Sequence, residues 1–236
     1  MMPGATPILA AYAGAAVLGY LLGSIPFGLV ITRLAGLGDI RAIGSGNIGA
    51  TNVLRTGRRD LALATLLLDA GKAGLAFLIC WQGALRLLTP DPARDALVAE
   101  AIRTSDAYSI GLVGGAFAFV GHCFPVWLRF KGGKGVATFI GLLLFAMWKV
   151  GLAFGAIWLL TAGLFRMSSL AGLAATLATP VIAYVLEPAG DGWIITGVLA
   201  LLIFWRHRAN IGRILNGTEP RIGAKKKSEA SSEPPA

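Results

Sequence analysis

Residues 7–31 read PILAAYAGAAVLGYLLGSIPFGLVI, a run of 25 residues without a charged side chain. A helix needs about 20 predominantly apolar residues to cross the hydrocarbon core of a bilayer, so this stretch is long enough for one span. Similar runs recur along the 236-residue chain, which has 56% hydrophobic residues, 14% charged residues and a mean hydropathy of +0.71. A soluble domain usually carries about 25% charged residues. The composition excludes a water-soluble enzyme, a disordered protein and a secreted disulfide scaffold, and it predicts an all-α polytopic membrane protein.

Seven apolar segments are candidate transmembrane helices. They are residues 7–31, 61–82, 108–128, 136–148, 150–165, 170–186 and 193–205. The fourth and fifth are short and separated only by Lys149, which predicts a tight helical hairpin. One long helix through Lys149 is the competing interpretation and would give six spans. We expect a single membrane domain over residues 1–223, followed by a disordered basic tail over 224–236, which reads AKKKSEASSEPPA.

The distribution of basic residues predicts the orientation. The N-terminus lacks the Lys and Arg residues of a signal peptide, so the first segment is expected to be a retained span. With seven spans and the N-terminus outside, sixteen Lys and Arg residues fall on the cytoplasmic side and four on the other side. Cytoplasmic loops carry an excess of these residues. We therefore expect the N-terminus outside and the C-terminus in the cytoplasm.

Three polar loops share the cytoplasmic face in this arrangement. They read GSGNIGATNVLR (44–55), GHCFPVWLRFKGGKG (121–135) and RHRANIGRILNGTE (206–219). Glycine lets backbone N–H groups approach an anion, Ser, Thr and Asn add neutral donors, and Arg and Lys add charge. Any one loop alone is equally compatible with a tight turn or an orientation signal. Together they predict a phosphate-binding site at the membrane face.

Two features limit this interpretation. The second loop is not a nucleotide-binding Walker A loop, because Gly135 follows Lys134 where that motif needs Ser or Thr. Cys80 and Cys123 lie in apolar runs without metal-ligand spacing, so we interpret them as inert core thiols.

Asp69 and Lys72 are the charged pair inside a predicted span. They lie three residues apart, on one face of a helix, and bare charges are costly in a membrane, so we expect them to pair. The sequence is equally compatible with two roles for Asp69 and Lys72, a structural ion pair and a pair that shapes the site. His122 taken alone is more typical of a packing residue at a helix end.

Together the motifs resemble the bacterial acyl-phosphate:glycerol-3-phosphate acyltransferases, the PlsY family. The matching segments are GSIPFG (23–28), GSGNIGATNVLRTG (44–57), GHCFPVWLRFKGGKGVAT (121–138) and RHRANIGRILNGTE (206–219). Asp69-Ala-Gly-Lys72 also resembles an intramembrane Asp/Lys pair of the family, and the resemblance covers residues 7–223.

The resemblance implies transfer of an acyl group from acyl phosphate to the 1-hydroxyl of sn-glycerol 3-phosphate. The products would be lysophosphatidic acid and phosphate, in bacterial phospholipid biosynthesis. It implies a multi-pass protein of the bacterial cytoplasmic (inner) membrane with its active site on the cytoplasmic face, without a cofactor or metal. The expected partners are the two substrates and membrane lipids, a soluble acyl-phosphate synthase is a candidate partner, and no nucleic acid is expected.

The resemblance and the chemistry of the loops give the candidate site residues. The candidate catalytic groups are Lys134, Ser45 and His207. The candidate substrate-binding residues are Asn47, Thr51, Asn52, Arg55, His122, Lys131, Gly132, Gly133, Gly135, Asn210, Arg213 and Glu219, with Asp69 and Lys72 as a supporting pair. Of these, we expect Ser45, Asn47, Thr51, Gly132, Gly133 and Lys134 around the acyl phosphate, and Arg55, His207 and Asn210 around glycerol 3-phosphate.

The sequence shows no nucleophile elbow and no Ser–His–Asp or Cys–His signature, so we expect direct acyl transfer without an acyl-enzyme. The hydroxyl proton would go to His207 or to a substrate phosphate oxygen, and Ser45 is the residue that could act as a nucleophile instead. A carrier for phosphorylated solutes is an alternative, which should show midplane polar residues or broken helices and an internal repeat. A scaffold within a lipid-synthesis assembly is another, but it leaves the three loops unexplained.

Overall fold

A computed structural model describes residues 5–44, 46–188 and 190–223, and all regular elements in these ranges are helical. The predicted all-helical class is therefore confirmed for the described residues. Ser45 and the predicted tail over 224–236 lie outside them. The helices are α1 (Ala5–Gly23), α2 (Phe27–Leu34), α3 (Ala50–Val53), α4 (Arg59–Leu87), α5 (Ala96–Cys123), α6 (Val136–Ala146), α7 (Trp148–Phe165), α8 (Ser168–Leu186), α9 (Gly192–Arg206) and α10 (Arg208–Leu215).

Five helical stretches are long and apolar enough to cross a bilayer. They are Ile8–Leu34, Arg59–Leu87, Ala96–Leu128, Trp148–Phe165 and Ser168–Leu186. A sixth forms if α9 and α10, which are bent by 62° at the residue between them, are counted as one span. Helix α6 has 11 residues, which span about 16 Å at 1.5 Å per residue, roughly half of the hydrocarbon core. The structure therefore shows five to six candidate spans, and the count of seven stays a prediction.

The chain reverses between α6 and α7, at Met147. The backbone of Met147 has φ −136° and ψ 68°, outside the helical region. A Cβ on Gly151 would lie 2.8 Å from the backbone nitrogen of Leu144. In a straight helix seven residues would separate these positions by about 10 Å, so the competing interpretation of one long helix is wrong. The predicted hairpin forms, but Lys149 lies in the first turn of α7 rather than between the two helices.

Helices α1 and α5 pack through small residues. A Cβ on Gly19 would lie 2.0 Å from the carbonyl oxygen of Gly114, and a Cβ on Gly23 would lie 1.9 Å from that of Ala118. Gly19 and Gly23 form a G-x-x-x-G spacing on one face of α1, which lets two membrane helices approach backbone to backbone. Helix α6 approaches α4 in the same way, because a Cβ on Gly141 would lie 2.0 Å from the carbonyl oxygen of Ala70.

Candidate active site

The three polar loops meet in one cavity of about 570 Å³. The first loop lines it from the segment that leads into α4, the second from the start of α6, and the third from the break between α9 and α10 and the segment after α10. The sequence-predicted site residues that line the cavity are Asn47, Thr51, Asn52, Arg55, Asp69, His122, Lys134, Gly135, His207, Asn210, Arg213 and Glu219. The structure thus brings together residues that lie up to about 170 positions apart in the sequence.

Four other predicted residues do not line the cavity. Lys131 is exposed, and Lys72 lies behind Asp69. Gly132 and Gly133 differ from the expected anion nest, because their N–H groups are used within the protein. They donate to the carbonyl oxygens of Cys123 and His122, at 3.2 and 3.0 Å.

Arg206 holds the same loop from the other side. Its Nε and Nη2 donate to the carbonyl oxygens of Gly133 at 3.0 Å and Gly132 at 2.7 Å. The guanidinium also lies over the ring of Phe124, 5.3 Å from the centroid. The N–H and carbonyl groups of both Gly132 and Gly133 are therefore hydrogen-bonded within the protein. The loop presents Lys134 to the cavity from a fixed position.

A hydrogen-bonded network fixes the polar end of the cavity. Lys134 Nζ donates to Asn210 Oδ1 at 2.5 Å, and Asn210 Nδ2 donates to Glu219 Oε1 at 2.6 Å. Ser169 Oγ donates to the same Glu219 oxygen at 2.6 Å, and Arg213 Nε donates to Oε2 at 2.8 Å. Glu219 was expected to bind substrate. The three hydrogen bonds to its carboxylate show that Glu219 orients Asn210, Arg213 and Ser169, and its contact with substrate stays a prediction.

The charges at this end favour anions. Burial, and then the neighbouring Arg213, lower the pKa of Lys134 to about 8, against the effect of the Glu219 carboxylate. Burial acts to raise the pKa of Glu219, but hydrogen bonds from Ser169, Asn210 and Arg213 hold it below its usual value. At neutral pH Lys134 is therefore cationic and Glu219 anionic. Arg55 and Arg213 add two more cations to the cavity lining. The anions of the lining are Glu219 and Asp69, and Asp69 is paired with Lys72, so positive charge predominates and suits phosphate groups.

His207 is held in one tautomer. Its Nδ1 lies 2.8 Å from the carbonyl oxygen of Ile203. A carbonyl only accepts hydrogen bonds, so Nδ1 carries the proton and Nε2 of the neutral ring is an acceptor. The residue is 3% exposed and lines the cavity. An acceptor nitrogen in this position can accept a hydrogen bond from a bound hydroxyl group.

Asn52 stabilises the first loop. Its Nδ2 lies 2.7 Å from the carbonyl oxygen of Ile40, 2.8 Å from that of Asn47 and 3.2 Å from that of Ile43. Asn52 was expected to bind substrate, and these bonds show that its amide nitrogen serves to shape the loop. Thr51 and Arg55, on the same loop, are exposed and line the cavity.

The remainder of the cavity is apolar. Side chains from three helices line it, namely Leu66 of α4, Ile140 of α6, and Phe154, Trp158 and Leu159 of α7. Because this part continues from the polar end, one molecule with an anionic head and an apolar chain fits the two parts together.

Comparison with known proteins gives the family. A family model described as glycerol-3-phosphate acyltransferase matches residues 13–217. The chain is 58% identical over 228 residues to a glycerol-3-phosphate acyltransferase of Maricaulis maris, covering 97% of this chain and 94% of the relative. It is 55% identical over 213 residues to one of Rhodospirillum rubrum, covering 90% and 92%.

The chain belongs to the glycerol-3-phosphate acyltransferase family.

Solved structures agree with this assignment. The acyltransferase is similar to the crystal structure of PlsY, an integral membrane glycerol 3-phosphate acyltransferase, in its glycerol 3-phosphate form. The TM-score is 0.75 at 32% identity, over 90% of this chain and 96% of that chain. The lysophosphatidic acid form of PlsY gives a TM-score of 0.74 at the same identity. The resemblance to the PlsY family is confirmed, and the chain is an integral membrane acyltransferase.

Sequence reasoning missed three contributions to the site of this acyltransferase. Ser169 lies outside the motifs, at the start of α8, and only the structure shows that it reaches Glu219. Arg206 begins the third polar loop in the sequence, but only the structure shows that it binds the carbonyl oxygens of Gly132 and Gly133. The apolar lining carried no signal, because residues that face a cavity and residues that face lipid have the same composition in a membrane helix.

Proposed function

We propose that this acyltransferase moves an acyl group from acyl phosphate to the 1-hydroxyl of sn-glycerol 3-phosphate. The products are lysophosphatidic acid and inorganic phosphate. The observation that carries the proposal is one cavity with a cationic polar end and an apolar continuation. The name of the relatives supports the acceptor, and the two forms of PlsY support the acceptor and the product.

The charge of the polar end supports acyl phosphate as the donor. Donor and acceptor each bring one phosphate group, and the cavity offers Lys134, Arg55 and Arg213 for them. Acyl phosphate is a mixed anhydride with a good leaving group, so the protein can act by positioning and electrostatic stabilisation. The acyl chain lies along the apolar lining while the head group occupies the polar end.

The reaction we propose is one direct transfer. The acceptor hydroxyl attacks the acyl carbonyl carbon, and its proton goes to His207 Nε2 or to a substrate phosphate oxygen. The tetrahedral intermediate collapses, the bond between the acyl carbon and the phosphate oxygen breaks, and phosphate leaves. Lys134 and the N-terminus of α6, which begins after Gly135, stabilise the charge on the departing phosphate.

The other predicted residues divide between the two substrates. We place Asn47 and Thr51, with Ser45 of the same loop, around the acyl phosphate. Arg55 and Asn210 hold the acceptor phosphate, with Arg213 beside them. We also propose seven spans, a cytoplasmic active site in the bacterial inner membrane, and delivery of the donor by a soluble acyl-phosphate synthase.

A donor comparison tests the reaction. Purified protein is given labelled glycerol 3-phosphate with palmitoyl phosphate, palmitoyl-CoA or palmitoyl-acyl carrier protein. We expect labelled lysophosphatidic acid with palmitoyl phosphate alone, and its loss in Lys134→Ala. Turnover from either thioester, with none from palmitoyl phosphate, would contradict the proposed donor.

Initial-rate kinetics and mass spectrometry test direct transfer. Both substrates must be bound together, so double-reciprocal plots should intersect, and acyl phosphate alone should leave no acyl group on the protein. Parallel plots, with an acyl adduct on Ser45 that glycerol 3-phosphate discharges, would show covalent catalysis instead.

A further inference from the structure

Lys72 joins three parts of the fold at one buried point. Its Nζ lies 2.7 Å from Asp69 Oδ1, 2.9 Å from the carbonyl oxygen of Ile25 and 2.9 Å from Nδ1 of His122. Lys72 and Asp69 lie on α4, Ile25 lies between α1 and α2, and His122 lies in the last turn of α5. The side chains of Lys72, Asp69 and His122 are only 2–4% exposed.

These distances fix the tautomer of His122. The Lys72 ammonium group, paired with the Asp69 carboxylate, has three N–H donors and no acceptor, and its three neighbours take all three. His122 Nδ1 must therefore be an acceptor. Nδ1 also lies 3.5 Å from Asp69 Oδ1, but its contact with Lys72 Nζ is shorter, at 2.9 Å, and is the stronger of the two. A neutral imidazole that accepts at Nδ1 carries its proton at Nε2.

The Nε2 atom of His122 has no hydrogen-bond partner within residues 5–44, 46–188 and 190–223. Gly133 packs directly against this edge of the ring, because a Cβ on Gly133 would lie 2.0 Å from Nε2, so only a glycine fits beside the imidazole. His122 lines the cavity together with Asp69 and Lys134. Leu66, one turn before Asp69 on α4, belongs to the apolar lining, so His122 meets the cavity where its polar end becomes apolar.

We propose that His122 Nε2–H donates a hydrogen bond to the acyl carbonyl oxygen as negative charge develops there, and that Lys72 and Asp69 are positioning residues that fix this donor. The inference rests on the proposed function, because the carbonyl of acyl phosphate joins the phosphate to the chain and must lie where the two parts of the cavity meet. A donor fixed in place stabilises the oxyanion of the transition state more than the neutral carbonyl of the ground state. His122 then donates a hydrogen bond through Nε2–H, whereas His207, in the other tautomer, accepts one at Nε2.

Nitrogen-15 NMR of histidine-labelled protein tests the tautomers directly, because the sequence has only two histidines. We expect one ring protonated at Nε2 and one at Nδ1, assigned to His122 and His207 by the loss of one set in His207→Gln. In Lys72→Met the preference of His122 for Nε2–H should disappear. A wild-type His122 protonated at Nδ1, or at both nitrogens at neutral pH, overturns the proposal.

A matched pair of substitutions tests the catalytic role. His122→Asn keeps a polar group near Nδ1 for Lys72 but removes the donor at Nε2, whereas His122→Gln carries an amide nitrogen near the position of Nε2. We expect His122→Asn to lower kcat about 10²–10³-fold, the usual loss for one oxyanion donor. The KM for glycerol 3-phosphate should change less than about threefold, and His122→Gln should recover about tenfold in kcat.

An unchanged kcat in folded His122→Asn, or a loss confined to KM, overturns the proposal. If His122→Asn does not fold, the nitrogen-15 NMR measurement of the His122 tautomer in the wild-type protein tests the proposal by itself. These measurements can be made with whichever acyl donor supports turnover. A failure of acyl phosphate as the donor is therefore distinguishable from a failure of His122 as the oxyanion donor.

Discussion

The charge of Lys134 sets the pH range in which the cavity can hold phosphate groups. Burial, and then Arg213, lower the pKa of its ammonium group to about 8 in the free protein. The group is charged below this pKa and loses its charge as the pH rises through it. We therefore expect kcat/KM for the acyl phosphate to fall above a pH of about 8, because kcat/KM reports the pKa values of the free enzyme.

Two substitutions at Lys134 separate its charge from its shape. Lys134→Arg keeps a cation at high pH, because a guanidinium does not titrate in this range, so the alkaline fall should move upward. Lys134→Ala should lose about 10²–10³-fold in rate at every pH. Initial rates from about pH 6 to about pH 10, corrected for spontaneous hydrolysis of the donor, measure both. The same alkaline fall in Lys134→Arg would assign it to another group.

The sequence motifs predicted residues that the structure brings to one cavity, but they could not separate residues that contact a substrate from residues that support their neighbours. Glu219 and Asn52 are polar residues in anion-binding loops, and this composition is the same whether they touch the substrate or brace its ligands. In the structure the Glu219 oxygens accept three hydrogen bonds, and the Asn52 amide nitrogen lies within 3.2 Å of three carbonyl oxygens, so both residues support their neighbours. The positions of donors in other elements, such as Ser169 on α8, depend on tertiary packing, which a motif does not encode.

Among the helices, the contact between α1 and α5 allows a matched test. Gly19 and Gly14 lie on the same helix, but a Cβ on Gly19 would overlap the backbone of Gly114, whereas a Cβ on Gly14 meets nothing within 4 Å. Gly19→Ala should push the two helices apart and destabilise the protein by about 1–3 kcal/mol, the usual cost of overpacking. Gly14→Ala should be neutral or slightly stabilising, since alanine is the better helix former. Thermal unfolding in detergent measures both, and equal midpoints would contradict this account of the packing.

The break between α6 and α7 shows why helix ends were harder to predict than helix positions. Lys149 is the charged residue in a long apolar run and so predicts a break there, yet the break lies at Met147. Long-range contacts hold it there: Met147 is 2% exposed, and the hydroxyl of Tyr108 on α5 donates to the carbonyl oxygen of Ala146 at 3.2 Å. A carbonyl at a helix end needs such a partner in a membrane, and the partner lies 38 residues away in the sequence.

At the scale of the whole molecule, the position of the cavity constrains how many times the chain crosses the membrane. Lys134 and Glu219 line the same cavity, so both loops lie on one side of the membrane. The segment after Glu219 is bonded to the turn between α7 and α8, because Ile222 N donates to the carbonyl oxygen of Arg166 at 2.6 Å and Arg166 Nη2 donates to that of Ile222 at 3.0 Å. The chain between Lys134 and Arg166 must therefore make an even number of crossings. Because α7 is long enough to cross, we infer that the short α6 crosses as well, which supports seven spans.

Cysteine labelling in intact cells tests this count together with the orientation. If α6 crosses, Lys149→Cys lies outside the cell and should react with an impermeant thiol reagent, as should Arg94→Cys between α4 and α5. Lys131→Cys, at the other end of α6, should be protected until the cells are opened. All three positions are exposed, and the native Cys80 and Cys123 are buried, so the background should be low. Protection of Lys149→Cys beside a labelled Arg94→Cys would show that α6 does not cross, and labelling of Lys131→Cys would place the active site on the outer face.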